Sequence, residues 1–216
     1  MNYQYLLFDL DGTLTDPGEG ITNSVAYALE RFGVQVADKS TLYPFIGPPL
    51  IESFMRFFSF SRADADRAVA YYREYFSETG IFENRPYDGI HETLENLCKV
   101  GKRLFLATSK PEIYAKRIVE HFALAPYFDY VAGASLDEKR SEKWDVIRYA
   151  LDTCPQIVPD HAVMIGDRKH DILGAKKTGL NSIGVLWGYG SADELSDEGA
   201  THIVKTQDEL IQLLLN

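Results

Sequence analysis

Apolar residues along this chain fall into two patterns. Short, mostly apolar runs at 3–8, 103–107, 130–132, 162–165, 182–186 and 202–204 are strand-length and largely lack alternation. That is the signature of strands covered on both faces. Between them, apolar positions recur every three or four residues and predict helices over 89–100, 111–122, 143–151, 171–178 and 207–215. Local signals support several of these. Thr108-Ser109-Lys110-Pro111 reads as a helix start, while Gly101 and Gly179 stand where helices should end. Strand and helix alternating in this way predict a parallel sheet wrapped by helices, an α/β fold.

One region departs from the alternation. From about residue 16 to 85 the pattern is helical only, around 21–32, 49–57 and 63–78, with no convincing strand. The last segment carries Tyr71, Tyr72, Tyr75 and Phe76 at helical spacing, which is read as a packing face rather than a ligand cradle. The expected organisation is therefore a core of residues 1–15 and 86–216 with a helical insertion over 16–85. Pro17-Gly18 and the stretch 85–89 are the expected hinges.

Composition narrows the picture. The 216 residues, 45% of them hydrophobic, suffice for one sizeable core with a smaller lobe. No apolar run approaches the roughly 18 residues needed to span a bilayer, and the chain enters its first strand without a leader-like segment. Cys98 and Cys154 form no CxxC motif, which fits a reducing, cytoplasmic setting. A net charge of −10 disfavours nucleic acid and anionic membrane as partners. Nothing in the chain demands an assembly larger than a monomer. An acidic protein that binds an anionic small molecule needs a local cation or metal, and this requirement directs attention to the strand ends.

In a parallel sheet, ligands bind beyond the carboxyl ends of the strands. The first strand ends on Asp9 and Asp11, the second on Thr108-Ser109-Lys110, and the fourth on Gly166-Asp167-Arg168-Lys169-His170-Asp171. The loop after the third leads to Lys143. Carboxylates, a hydroxyl and a lysine thus meet on one rim. Phosphate monoesters hydrolyse very slowly unaided, and a carboxylate nucleophile divides that reaction through an aspartyl-phosphate. Carboxylate and phosphate repel, so a hard cation such as Mg²⁺ is expected between them, with Asp9 and Asp167 as ligands. Lys143 would cancel remaining charge, Thr108 would donate to a phosphoryl oxygen, and Asp11 would move protons as acid and then base. Each residue also has an ordinary structural use. Asp9 and Asp11 suit a turn, Asp171 an N-cap, Thr108 a helix cap, and Lys143 a solvated helix start like Lys139 and Arg140.

The order FDLDGTLTD, LATSKP, Lys143, MIGDRKHDI resembles the four motifs of the haloacid dehalogenase superfamily over essentially the whole chain. YDGIHETLENL, IGPPL and GVLWGYGSADEL are similar to its phosphoglycolate phosphatase and 5'-nucleotidase-like branch. The resemblance implies a Rossmann-like three-layer core with an inserted α-helical cap domain that closes over the site. It implies Asp9 as nucleophile and Asp11 as acid/base. Mg²⁺ would be held by Asp9, the carbonyl of Asp11, and Asp167, with Asp171 as ligand or close neighbour. Thr108, Ser109, Lys143 and Gly12 would receive the phosphoryl group of a small phosphomonoester. Ser109 stands where Asn is common in the second motif, and the prolines usual around the third-motif lysine are missing, so Lys139 rivals Lys143. The alternatives are a phosphomutase of the same fold and, less favoured, a receiver-like phospho-acceptor. Asn23, Tyr43, Arg56 and Arg62 are insertion residues that a substrate could meet.

Overall fold

The computed structural model describes residues 3–137 and 139–215. The outermost residues of the expected core, 1–2 and 216, lie outside this range. The chain divides into two compact units, one built from residues up to Thr15 and from Pro86 onward, the other from Asp16–Arg85.

The first unit begins with β1 (Tyr5–Phe8), whose Leu6, Leu7 and Phe8 are fully buried. Two short strands, β2 (Thr15–Asp16) and β3 (Arg85–Pro86), pair as a ribbon and carry the chain out of this unit and back. Helices α1 to α3 belong to the second unit. They are α1 (Gly18–Glu30), α2 (Leu50–Phe58) and α3 (Arg62–Tyr75). After the ribbon come α4 (Ile90–Lys99), β4 (Arg103–Pro111), α5 (Glu112–His121), β5 (Phe128–Ala134), α6 (Lys143–Thr153) and β6 (Ala162–Gly166). The chain continues through α7 (Lys169–Thr178), β7 (Asn181–Val185), α8 (Ala192–Asp197), β8 (His202–Val204) and α9 (Gln207–Leu215).

Among the described residues, six strands form one parallel sheet in the order β5-β4-β1-β6-β7-β8. Leaving out the ribbon, this is the doubly wound order in which the first strand lies at the centre and the chain reverses direction across it. The mostly apolar runs are thereby explained. Ala162, Val163, Met164 and Ile165 of β6 are fully buried, as are Leu7, Phe105 and Ala132 of β1, β4 and β5. One layer of the core packs Leu7, Phe105 and Met164 against Val146 and Ile147 of α6 and Ala175 of α7. Both cysteines are free, Cys98 exposed and Cys154 buried.

Three expectations need correction. The second strand does not stop at 107 but runs to Pro111, and its register against β5 slips between Thr108 and Pro111. Thr108 therefore sits in a strand and does not cap a helix. The helix expected from Asp171 starts at Lys169, so Asp171 is not its N-cap. It lies in the first turn, and its carboxylate reaches back to accept the Arg168 N–H at 3.0 Å. Finally, residues 16 and 85 each lie in a strand, but two-residue strands leave no periodicity to read.

The second unit is helical and inserted directly after the first strand's loop. Its interior is aromatic, with Phe54 stacked on Phe60 at 5.9 Å and Phe45 edge-on to Phe54 at 5.0 Å. Tyr72 is buried and stacks on Phe76 at 5.2 Å, and Tyr71 meets Phe32. The tyrosine stripe is a packing face. This unit also contains its own polar cleft of about 330 Å³, lined among others by Glu19, Lys39, Tyr43 and Glu83. Asn23 is tied into that wall, donating to Glu83 and accepting from Lys39. Arg56 instead lies over the Phe57 ring, and Arg62 pairs with Asp66.

Candidate active site

The site grows from the loop that follows β1. Asp9 N–H still donates to Ile165 O at 2.9 Å, extending the β1–β6 pairing by one residue. The chain then turns tightly. Leu10 O accepts from the N–H groups of Leu14 and Thr15, and Gly12 N–H donates to Thr15 O. Leu10 and Leu14 are fully buried and anchor this turn, so Asp9 and Asp11 are held by packed neighbours rather than displayed on a mobile tip. Gly12 has φ +81°, and a Cβ there would overlap the Asp167 carboxylate. Glycine both adopts the left-handed conformation and makes room for the close approach.

Four carboxylates from three segments gather here, and all are buried: Asp9, Asp11, Asp167 and Asp171. Among the described residues, Asp9, Asp167 and Asp171 form a group in which one oxygen from each lies within 4.8 Å of the others. Two buried lysines face them. Lys143 Nζ lies 2.7 Å from Asp9 Oδ1 and 2.8 Å from Asp171 Oδ1, and donates to Ala107 O at 3.1 Å. Lys110 Nζ lies 2.9 Å from Asp11 Oδ2. The ammonium of Lys143 is near both its carboxylates but poorly directed, because Asp9 Oδ1 and Asp171 Oδ1 lack a partner in hydrogen-bond geometry.

Four negative and two positive charges, all out of water, are costly. The titration behaviour reflects this. Burial lifts the Asp11 carboxyl above its ordinary range against the pull of Lys110, and Asp9 adds to the rise. Asp167 is raised well above, first by burial and then by Asp171 and Asp9. Burial also raises Asp171, to about 6, although Lys143 opposes it. For Lys143 burial works against the charged form, yet Asp171 and Asp9 outweigh it and push the ammonium up to about 12. The cluster holds more negative charge than its lysines balance.

The loop after β7 closes one side. Tyr189 N–H donates to Asp167 Oδ2 at 2.7 Å, Thr13 Oγ1 donates to Asp167 Oδ1 at 3.3 Å, and Trp187 Nε1 donates to Thr13 O at 3.0 Å. A Cβ on Gly188 would overlap Gly12 O and Asp167, and one on Gly166 would overlap Asp171. The packing leaves these carboxylates little freedom.

The sequence-predicted residues are therefore brought together, with distinctions. Asp9, Asp11, Asp167, Asp171 and Lys143 share the cluster. Thr108 is buried beside it and its hydroxyl accepts the Lys110 N–H at 3.2 Å. Gly12 backs onto Asp167, and Ser109 is half-buried between Thr108 and Lys110. Lys139 is elsewhere, highly exposed and paired with Asp137 at 3.1 Å. Sequence reading gave Lys110 and Thr13 no role. A signal existed for Lys110, since two-residue spacing along an extended strand places it on the same side as Thr108.

Comparison with known proteins adds the lineage. The family model described as haloacid dehalogenase-like hydrolase matches residues 6–185. A protein named 5'-nucleotidase from Pseudomonas aeruginosa is 47% identical over 99% of this chain and 96% of its own. Tyrosine-protein kinase PtkA from Mycobacterium tuberculosis is 39% identical over 98% of this chain and 72% of its own length. The crystal structure of a predicted phosphatase from Clostridium acetobutylicum, 52% identical, superposes with a TM-score of 0.96 and covers 100% of this chain and 99% of its own. A parallel sheet in the doubly wound order, the motifs at its strand ends and these relatives lead to one placement: the chain belongs to the haloacid dehalogenase-like hydrolases.

Proposed function

We propose that this protein is a Mg²⁺-dependent phosphatase that hydrolyses a small phosphorylated metabolite through an aspartyl-phosphate on Asp9. The observation that carries the reading is the excess of buried carboxylate. Asp9, Asp167 and Asp171 offer an all-oxygen donor set of the kind a hard divalent cation takes. Two of their oxygens have no hydrogen-bond partner among the described residues. These residues, with the Asp11 carbonyl, would hold Mg²⁺. When bound, the ion supplies charge stabilisation for a phosphate drawn against carboxylates.

The chain's own groups take the remaining tasks. The Asp9 carboxylate attacks phosphorus. Asp11 gives a proton to the leaving oxygen and later takes one from water, and its raised titration range suits the first of these roles. Lys143, Thr108, Ser109 and the Gly12 backbone receive the phosphoryl oxygens. Such groups recognise only phosphate, so discrimination among substrates falls to the helical unit as the cap domain, with its polar cleft the first place to look. Nucleoside 5'-monophosphates lead the candidate substrates, ahead of phosphoglycolate and sugar phosphates, because the relative named 5'-nucleotidase matches over nearly the full length of both chains.

The test is release of inorganic phosphate from a panel of these three classes, with Mg²⁺ and with EDTA. Release with Mg²⁺ that disappears with EDTA and in Asp9→Asn supports the reading. No release from any compound, or equal release by Asp9→Asn, overturns it. The relative named tyrosine-protein kinase raises a second reading, phosphoryl transfer to a tyrosine. Phosphotyrosine formed from ATP without matching free phosphate would favour that one.

A further inference from the structure

Lys110 has no task in the scheme above, yet it is one of the two lysines buried in the cluster. Its ammonium lies 2.9 Å from Asp11 Oδ2, with side chains only 4% and 11% exposed. Asp11 Oδ1, by contrast, is fully buried and has no hydrogen-bond partner among the described residues. The two oxygens of one carboxylate are thus made unequal: Oδ2 has a cation against it and Oδ1 is left without a hydrogen-bond partner. We propose that Lys110 is a positioning residue for Asp11, clamping Oδ2 so that Oδ1 is the oxygen that exchanges the proton during hydrolysis. The proposal rests on the phosphatase reading and deepens it.

The local fold explains why the clamp is rigid. The register slip of β4 against β5 places Ser109 and Lys110 as extra residues opposite one step of the neighbouring strand. The Lys110 N–H is fixed on the Thr108 hydroxyl at 3.2 Å. The backbone from which the Lys110 side chain reaches Asp11 is thereby held in place. A neutral residue at 110 would leave a buried Asp11 free to choose other partners, among them the crowded carboxylates beside it.

The proton movements balance as follows. As the Asp9 oxygen bonds to phosphorus, the bond to the leaving oxygen breaks and the proton on Asp11 Oδ1 passes to that oxygen. A neutral alcohol departs and Asp11 is left as carboxylate, with Lys110 already against its other oxygen. In the return step water oxygen bonds to phosphorus, its proton passes to Asp11 Oδ1, and the bond to Asp9 breaks.

The experiment compares wild type, Lys110→Met, Lys110→Arg, Asp11→Asn and the Lys110→Met/Asp11→Asn double variant. Two substrates are used, a nucleoside 5'-monophosphate and p-nitrophenyl phosphate, whose phenolate leaves without protonation. We expect Lys110→Met to lower kcat/KM for the alkyl ester by about 30-fold, a part of the roughly 10²–10⁴-fold that general acid catalysis contributes. The aryl ester should lose less than about threefold, since it bypasses the proton. In the Asp11→Asn background the same change should add less than about twofold, because the two residues act as one unit. Lys110→Arg should recover most of the loss, and inhibition by inorganic phosphate should be unchanged in every Lys110 variant. Melting curves check folding, and Lys110→Gln replaces Lys110→Met if the latter fails to fold. Equal losses on both esters, additive losses with Asp11→Asn, or phosphate inhibition weakening in parallel would overturn the role given to Lys110. A wild type that releases no phosphate from either ester overturns the functional reading itself, and this role with it.

Discussion

Gly12 and Asp167 occupy the same space by turns: the place where any other residue at 12 would put its Cβ is filled by the Asp167 carboxylate. At this point the first strand's loop meets the fourth core strand's end with backbone against side chain. Asp167 can stand beside Asp9 because residue 12 has nothing there.

Gly12→Ala should therefore fail twice. The backbone conformation at φ +81° costs a residue with a side chain about 1–2 kcal/mol. The methyl group also pushes Asp167 out of line. We expect a lower melting temperature together with weakened Mg²⁺ binding by calorimetry. Strain alone would lower the melting temperature and leave Mg²⁺ affinity untouched.

Lys143 lies within 2.8 Å of both Asp9 and Asp171. Lys143→Met leaves both carboxylates buried without it, and breaking a buried pair in this way costs about 3–5 kcal/mol. Chemical denaturation in EDTA should show that loss. Because the fault is excess negative charge, Mg²⁺ should restore part of the stability, and a variant with merely damaged packing would not respond.

The metal-free protein should become less stable as pH rises from 5 to 7. The folded-state pKa of Asp171, about 6, lies above the ordinary carboxylate value, as does that of Asp167. Groups raised in this direction contribute fully below their unfolded pKa, and the contribution is lost as pH climbs through the folded pKa. For a chain of this size each kcal/mol moves the melting temperature by about 2–4 °C. Melting curves in EDTA should fall by several degrees across this interval. With Mg²⁺ the slope should flatten, since the ion favours the ionised carboxylates.

Trp187 reaches across to the first strand's loop, its indole N–H donating to Thr13 O. Trp187→Phe keeps a ring and removes the donor, so it should cost about 1 kcal/mol. The effect belongs to the loop that carries Thr13 and, through it, Asp167. Hydrogen exchange should therefore quicken at residues 11–15 while distant strands keep their protection.

How much of this was legible depends on whether a feature leaves a pattern. The buried strands did, because covering on both faces demands continuous apolar runs, and Leu6–Phe8 and Val163–Ile165 obey it. Asp9, Asp11 and Asp167 were legible because a carboxylate directly after such a run is conspicuous. The ribbon at Asp16 and Arg85 was not, since two residues carry no period. Helix α8 also escaped, as six residues from Ala192 to Asp197 are too few to show a face. Lys110 was obscured for another reason: a lysine at a strand end is usually solvated, and its spacing from Thr108 gains weight only beside the facing Asp11. Ordinary contacts such as Tyr189 N–H to Asp167 are invisible in principle, because every residue type has a backbone N–H.

The central place of β1 in the sheet bears on how the molecule comes into being. The first strand is made at the outset, yet its neighbours are β4 and β6, and Thr13 waits for a partner 154 residues further on. Pairings so distant in the chain are entropically slow to form and come late. During synthesis the early carboxylates Asp9 and Asp11 emerge long before Asp167 and Asp171, and stay hydrated meanwhile. The mutual repulsion of four anions is thus postponed until a nearly complete hydrophobic core exists to oppose it. A nascent or truncated chain lacking β6 has not yet gathered the four carboxylates, so the assembled cluster becomes a report that the sheet has been built as far as β6.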